Sequence, residues 1–317
     1  MRWKLACLCL GATLLLCGCS MWPFKQTSQE RIPPLSQKPT PGQLISYLNT
    51  QADAIGSIRV DDLEMEAQVG ALLSMGMQGK LVCQKPRNFR LEAYGASRSL
   101  EADVGSNDSE LWFYLARNEP PYLFHCRHDE LYRAPPSFPF QPDWVLEALG
   151  MGHIDSPERF HVEIPPHGST IELVEQTRTP QGQPVKKITV FDARDVFSKE
   201  PHVIGRKLVD ANGAVLASAR IIAMQQDQQS GIAIPHQIEL TSPLPGERLV
   251  KRDLRLKLTL DNPVVNGPME PGYVAMKFTR PSFQGVQTVD LARANYANST
   301  SNNSDNRPAL FRGLRKQ

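Results

Sequence analysis

Residues 79–95 read GKLVCQKPRNFRLEAYG. Lys85-Pro86-Arg87-Asn88 is a turn signal inside this stretch, and on either side of it lies a short run rich in aliphatic and aromatic residues. Two strands joined by so short a turn pair antiparallel. The same grammar continues in both directions. Upstream, MEAQVGALLSMGMQ (65–78) begins with Met65, Ala67 and Val69 in alternation, the period of a half-buried strand. Downstream, ELWFYLA (110–116) and YLFHCR (122–127) follow the turn signals Gly105-Ser106-Asn107-Asp108 and Asn118-Glu119-Pro120-Pro121. The region reads as an antiparallel meander.

Two segments break the period of two. In QLISYLNTQADAI (43–55), Leu44, Ile45, Leu48, Ala52 and Ile55 recur at helical spacing, which predicts an amphipathic helix over Pro41–Ala54. In PDWVLEALGMG (142–152), Trp144, Val145, Leu146, Ala148 and Leu149 predict a short helix that starts near Pro142 and stops at Gly150. Strand signals then resume in RFHVEI (159–164), TIELVEQ (170–176), VKKITVFD (185–192), PHVIGRKLVD (201–210), AVLASARIIAM (214–224), IPHQIELTS (234–242) and RLKLTLDNPVV (255–265). Ala211-Asn212-Gly213 is read as a hairpin turn. No repeat of fixed period stands out.

The 317 residues carry 35 basic and 33 acidic side chains, a net charge of +2, which gives no electrostatic case for nucleic acid. The 26 prolines argue for many short strands rather than long helices. At the N-terminus, Arg2 and Lys4 precede an apolar run from Leu5 to Leu16, far shorter than the roughly 20 residues of a membrane span and shaped like a secretory signal. The tetrad Leu16-Cys17-Gly18-Cys19 resembles the bacterial lipobox. That resemblance implies cleavage after residue 18, a diacylglycerol thioether on Cys19 and a membrane anchor without a spanning helix. Ser20, where Asp would retain a lipoprotein at the inner membrane, implies the outer membrane. Residues 19–42 are Pro-rich and read as an extended tether, 43–292 as the folded domain, and 293–317 as a disordered Asn/Ser-rich tail with a basic tip at Arg312, Arg315 and Lys316. With Cys19 acylated, Cys83 and Cys126 remain, and in an oxidising envelope they form either a disulfide or two separately buried thiols.

Catalytic signatures are weak. Gly79-Lys80 is followed by Leu81, so the phosphate-loop spacing fails, and no G-x-S-x-G nucleophile elbow occurs. His125-Cys126-Arg127-His128-Asp129-Glu130 concentrates metal-ligand types, but in a strand His125 and His128 point to opposite faces. His153, His161 and His167 are scattered, and Asp192 with Asp195 is a carboxylate pair such as any globular chain carries. The reading is no enzyme, no cofactor and no metal. Trp112, Phe113, Tyr114 and Trp144 form the main aromatic group, Trp112 and Tyr114 sharing one strand face and Phe113 taking the other.

This order of elements resembles the LolA/LolB superfamily of periplasmic lipoprotein carriers and outer-membrane receptors, from about Pro41 to Pro281. The phrases that carry the resemblance are GKLVCQKPRNFRLEAYG, GSNDSELWFYLARNEPPYLF (105–124) and GIAIPHQIELTSP (231–243). It implies a mainly β (α+β) fold, a strongly curved antiparallel sheet forming an incomplete barrel covered by short helices. It also implies an apolar cavity for acyl chains, for which Trp112, Tyr114, Trp144 and Leu146 are the candidate lining residues. Receptor-type members carry a protruding loop with an exposed leucine, and the corresponding Tyr94-Gly95-Ala96-Ser97 has none. The expected partners are therefore a membrane, through the anchor, and either a lipid or acyl chain in an accessible groove beneath the helices or an envelope protein, with the groove filled by the protein's own side chains and an exposed apolar patch elsewhere.

Overall fold

The computed structural model of the chain describes residues 39–70, 73–118, 120–134, 141–166, 168–194, 202–244 and 252–293. The signal segment, Cys19, most of the tether, His167, Asp195 and the basic tip lie outside the described residues.

Helix α1 (Pro41–Ala54) starts where the sequence places it, because Thr40 and Gln43 make a capping box: the Gln43 N–H donates to Thr40 Oγ1, and the Thr40 N–H donates to Gln43 Oε1 at 2.9 Å. Its buried side is Leu44, Ile45, Leu48 and Ala52. Six strands follow, β1 (Ser57–Val69), β2 (Leu73–Gln84), β3 (Asn88–Tyr94), β4 (Leu100–Ser106), β5 (Glu110–Leu115) and β6 (Tyr122–Arg127). Helix α2 (Pro142–Ala148) separates them from β7 (Phe160–Glu163), β8 (Thr170–Arg178), β9 (Pro184–Asp192), β10 (Val203–Asp210), β11 (Val215–Gln226), β12 (Ala233–Leu244) and β13 (Arg252–Asp261). The chain then adds β14 (Val264–Val265), α3 (Pro271–Lys277) and β15 (Gln287–Asp290).

Among the described residues these strands form one 15-stranded sheet in the order β15-β6-β5-β4-β3-β2-β1-β13-β12-β11-β10-β9-β8-β7, with β14 paired to β1. All neighbours are antiparallel except β15, which lies parallel to β6. The order has two ends, so the barrel is incomplete. The sheet is also curved: Leu91 of β3 and Ala219 of β11, five strand steps apart and so roughly 24 Å along a flat sheet, pack into one buried cluster with the helix residues Trp144 and Leu149.

Local sequence explains how the sheet bends. In β1, Val60 and Leu63 are both buried, and between them the alternation is broken by Asp61-Asp62. The register with β2 shifts there, a bulge that keeps both carboxylates outward. Opposite Leu63, a Cβ on Gly79 would lie 2.5 Å from the Glu92 carbonyl oxygen and 2.8 Å from Met65 Sδ, so only glycine fits. On the face away from α1 and α2, the segment from β14 to β15 crosses the first half-sheet as a strap. Arg90 donates to the Lys277 carbonyl at 3.0 Å, Asn107 to the Phe278 carbonyl at 2.9 Å, and Phe283 packs on Tyr114 with ring centroids 4.4 Å apart.

Candidate functional site

The concave face faces α1 and α2. Ile55, Trp144, Val145, Leu146, Ala148 and Leu149 join one buried cluster with sheet residues that include Ile58, Leu81, Leu91, Ile238 and Leu258. The groove expected under the helices is therefore filled by the protein's own side chains. Trp144 and Leu146, expected to line an acyl-chain cavity, sit in this cluster. At its margin a cleft of about 20 Å³, room for one water, is lined among others by Tyr47, Gln51, Leu149, Arg206, Ile221 and Met224.

Arg206 is the unusual member of that face. Cross-strand pairing sets Leu173, Thr189, Arg206, Ala219 and Leu240 side by side, so a guanidinium stands in a row of small and apolar residues. Its side chain is 13% exposed. Nη1 donates to Thr189 Oγ1 at 3.3 Å and lies 3.9 Å from Glu147 Oε2, while Nε is buried without a hydrogen-bond partner among the described residues. Burial pulls the guanidinium below its ordinary value and Glu147 acts in the opposite sense, yet an arginine stays charged at any physiological pH. Lys187, on the neighbouring strand, donates to Glu147 Oε1 at 2.8 Å. Glu147 is thus the carboxylate by which α2 is tied to two cations on the sheet. Close by, burial pushes the Glu175 carboxyl up, with Lys187 opposing and Glu147 reinforcing the change.

The other two cavity candidates lie on the opposite face. Pairing aligns Leu91, Val104, Phe113 and Phe124, and it is Phe113, stacked on Phe124 at 4.8 Å, that faces the concave side. Trp112 and Tyr114 share one face, as alternation requires, but that face is the one under the strap. Trp112 is fully buried there, against Gly105, and its Nε1 donates to Asp103 Oδ1 at 3.3 Å. Asp103 is in turn paired with Arg90 at 2.7 Å, and Lys277 of α3 with Glu92 at 2.7 Å. Neither Trp112 nor Tyr114 lines the concave face.

Cys83 and Cys126 are free and buried, the second of the two alternatives. They point to the same face but on β2 and β6, with β3, β4 and β5 between them, roughly 19 Å along the sheet against the ~7 Å Cα limit for a disulfide. Burial raises both thiols, Cys126 to about 11, with Asp290 and Glu130 adding to the effect, so neither is a nucleophile at neutral pH. The histidine-rich stretch is split between elements. His125 ends up beside Glu110 at 3.2 Å, whereas His128 opens a 3-10 turn and bonds the Asn107 carbonyl at 2.8 Å. No three potential ligands converge among the described residues.

Arg206, Lys187 and Glu147 were missed from sequence. A single Arg in the β10 alternation, VIGRKLVD, reads as an outward residue, and only the register with Thr189 and Ala219 turns it inward.

No protein-family model matches the chain, and no curated protein does. Solved structures resemble it. A Vibrio parahaemolyticus domain described as an outer membrane lipoprotein-sorting protein domain is 11% identical with a TM-score of 0.48, covering 75% of this chain and 96% of that one. A DUF1329 family protein from Desulfovibrio piger is 8% identical with a TM-score of 0.45, covering 74% and 95%. A LolA superfamily protein from Nitrosomonas europaea is 11% identical with a TM-score of 0.42, covering 74% and 97%.

Proposed function

We propose that this protein binds acyl chains on the concave face of its sheet, acting by binding rather than catalysis as a lipid-anchored carrier or receptor in the bacterial envelope. The anchor in this reading is Cys19, and Ser20 sends it to the periplasmic face of the outer membrane. The observation that carries the proposal is the nature of the cover. An unclosed sheet keeps its apolar face dry with two helices, α1 and the 7-residue α2, where a sandwich would use a second sheet. A helix that short does not hold itself together in water. Trp144, Val145 and Leu146 stand where a ligand chain would lie, and the charged ties of α2 are the partly exposed Glu147 and Asp143, the latter to Arg87 in the β2–β3 turn. An acyl chain entering from the margin near Met224 would displace α2 and bury against the same sheet residues. Protein from an envelope fraction, analysed by native mass spectrometry, should carry an added mass of acyl-chain size that Trp144→Glu loses. A clean mass that stays clean after incubation with lipids would remove this reading. The anchor has its own test, because Cys19→Ser should shift the chain out of the mature, detergent-extracted membrane fraction.

A second reading, a protein-docking adaptor on the same fold, is favoured by one observation, the filling of the concave face by the protein's own side chains. Among the described residues the large exposed apolar side chains, Tyr132, Ile164, Val215, Ile222, Met224 and Met276, are spread over the 3-10 turn, the end of β7, β11 and α3, and they give that reading no single patch.

A further inference from the structure

Charge inside the concave face is the feature that an acyl-chain site does not by itself require. Arg206 brings a guanidinium with five N–H donors into an apolar row. Among the described residues its hydrogen bond is the 3.3 Å contact to Thr189, its ion pair the long 3.9 Å approach to Glu147, and its Nε is an orphan. A buried donor left unmatched costs free energy that a well-placed oxyanion would recover. Lys187 supplies a second cation, and the two reach the same carboxylate from adjacent strands, Lys187 at Oε1 and Arg206 at Oε2. Glu147, however, belongs to the helix that an entering chain must displace. When α2 leaves, its carboxylate leaves with it, and Arg206 and Lys187 remain beside newly uncovered apolar surface, with the Glu175 carboxyl opposite Lys187 on β8. The arrangement matches a molecule with an oxyanion at one end and a hydrocarbon chain at the other.

We infer that the concave site takes an amphiphile whose oxyanion head, a carboxylate or a phosphate, replaces Glu147 on Lys187 and Arg206 while its acyl chain replaces the apolar side chains of α2. This rests on the acyl-chain reading above and adds the head-group chemistry to it. Ala219, paired with Arg206 on the adjacent strand, leaves room for a head group on that side of the guanidinium.

The test uses the full chain in its own membrane, labelled on the concave face by a diazirine analogue of palmitate, with unlabelled competitors of equal chain length. Palmitate should compete at a concentration roughly tenfold lower than hexadecanol, as one charge-assisted contact implies. In Arg206→Met the two competitors should become equal, and Lys187→Gln should narrow the gap. Glu147→Gln should widen it, because the resident carboxylate no longer opposes the incoming one; a residue of purely structural importance would not produce that gain. Lysophosphatidate beside palmitate assigns phosphate or carboxylate as the preferred head, and either supports the inference. Equal competition by palmitate and hexadecanol in the unaltered protein would overturn it while leaving acyl-chain binding intact. Displacement by inorganic phosphate as effective as by lysophosphatidate would make this a free-anion site and overturn it too. Absence of any label on the concave face would remove the acyl-chain reading and this inference together.

Discussion

At the scale of single residues, the fold depends on a few positions that admit one side chain. Gly105 lies across from Trp112, and a Cβ there would fall 2.2 Å from the indole Cζ2. The indole cannot retreat, because it is fully buried and its N–H is held by Asp103. Gly105→Ala should therefore cost about 1–3 kcal/mol, the range for overpacking, in urea denaturation. Gly76→Ala, in β2 with nothing within 4 Å of its added methyl, should stay within about 0.5 kcal/mol of the parent. Asp227 acts differently, through hydrogen bonds. Burial works against its ionisation, but the Ser230 hydroxyl and the N–H groups of Ser230, Val265 and Gln229 outweigh it and hold its pKa below the ordinary carboxylate value. A folded-state pKa below the unfolded one gives stability that is present above the unfolded value, about 3.9, and lost as pH falls through the folded value. Asp227→Asn should thus be less stable than the parent at pH 7 by about 1 kcal/mol, with a deficit that shrinks at pH 3. A deficit independent of pH would show that the carboxylate charge has no part in it.

At the scale of elements, α1 and α2 share the cover of the concave face but differ in how they are held. The longer helix is tied by backbone-directed bonds, Asn49 exchanging two with Ile154 at 3.0 and 2.9 Å and Gln51 donating to the Ala233 carbonyl. The shorter one is held by apolar contact and by side-chain charges, Glu147 with Lys187 and Asp143 with Arg87 at 3.5 Å. In hydrogen exchange, the amides of Val145 and Leu149 should open before those of α1, and Glu147→Gln should speed them about 2–5-fold, the worth of one half-exposed ion pair. Equal protection of the two helices would contradict a removable cover. Which elements the sequence disclosed follows the same physics. A capping box and a 3.6 period made α1 legible to the residue, and strands dry on one side announced themselves by alternation. Leu100–Ser106 did not, because β4 pairs Leu100, Ala102 and Val104 with Glu101 and Asp103, residues poor in strand propensity that are held by neighbours on both sides. Trp112 was read correctly as sharing a face with Tyr114, yet its face could not be assigned: ELWFYL is buried on both sides, and alternation names the core only when one side is wet. Neither α3, with no buried residue of its own, nor the four-residue β15 carries a periodic signal, so the strap that buries Trp112 was invisible.

At the scale of the whole molecule, an unclosed sheet has two edges, and each is a template for pairing with another chain. Here both are short: β7 and β15 have four residues each. The strap gives β15 a purpose beyond covering Trp112, since by lying parallel to β6 it occupies an edge that Tyr122–Arg127, rich in aromatic and aliphatic residues, would otherwise present. Val289 helps to keep β15 there: it packs, half-buried and close to the buried Leu291, against the cluster of Leu111, Phe113, Phe124 and Cys126, while its neighbour Thr288 is exposed. Val289→Asp would place an unpaired carboxylate on those rings and should detach the strand. The freed β6 edge then has unpaired backbone donors and acceptors, and the protein should self-associate with a concentration dependence visible in sedimentation velocity, while the β6 amides lose protection. Thr288→Asp, which adds the same charge on the solvent side, should remain monomeric. If Val289→Asp stays monomeric with β6 still protected, the strap is only a cover for the buried charges of Arg90 and Asp103, and the sheet must guard that edge by other means.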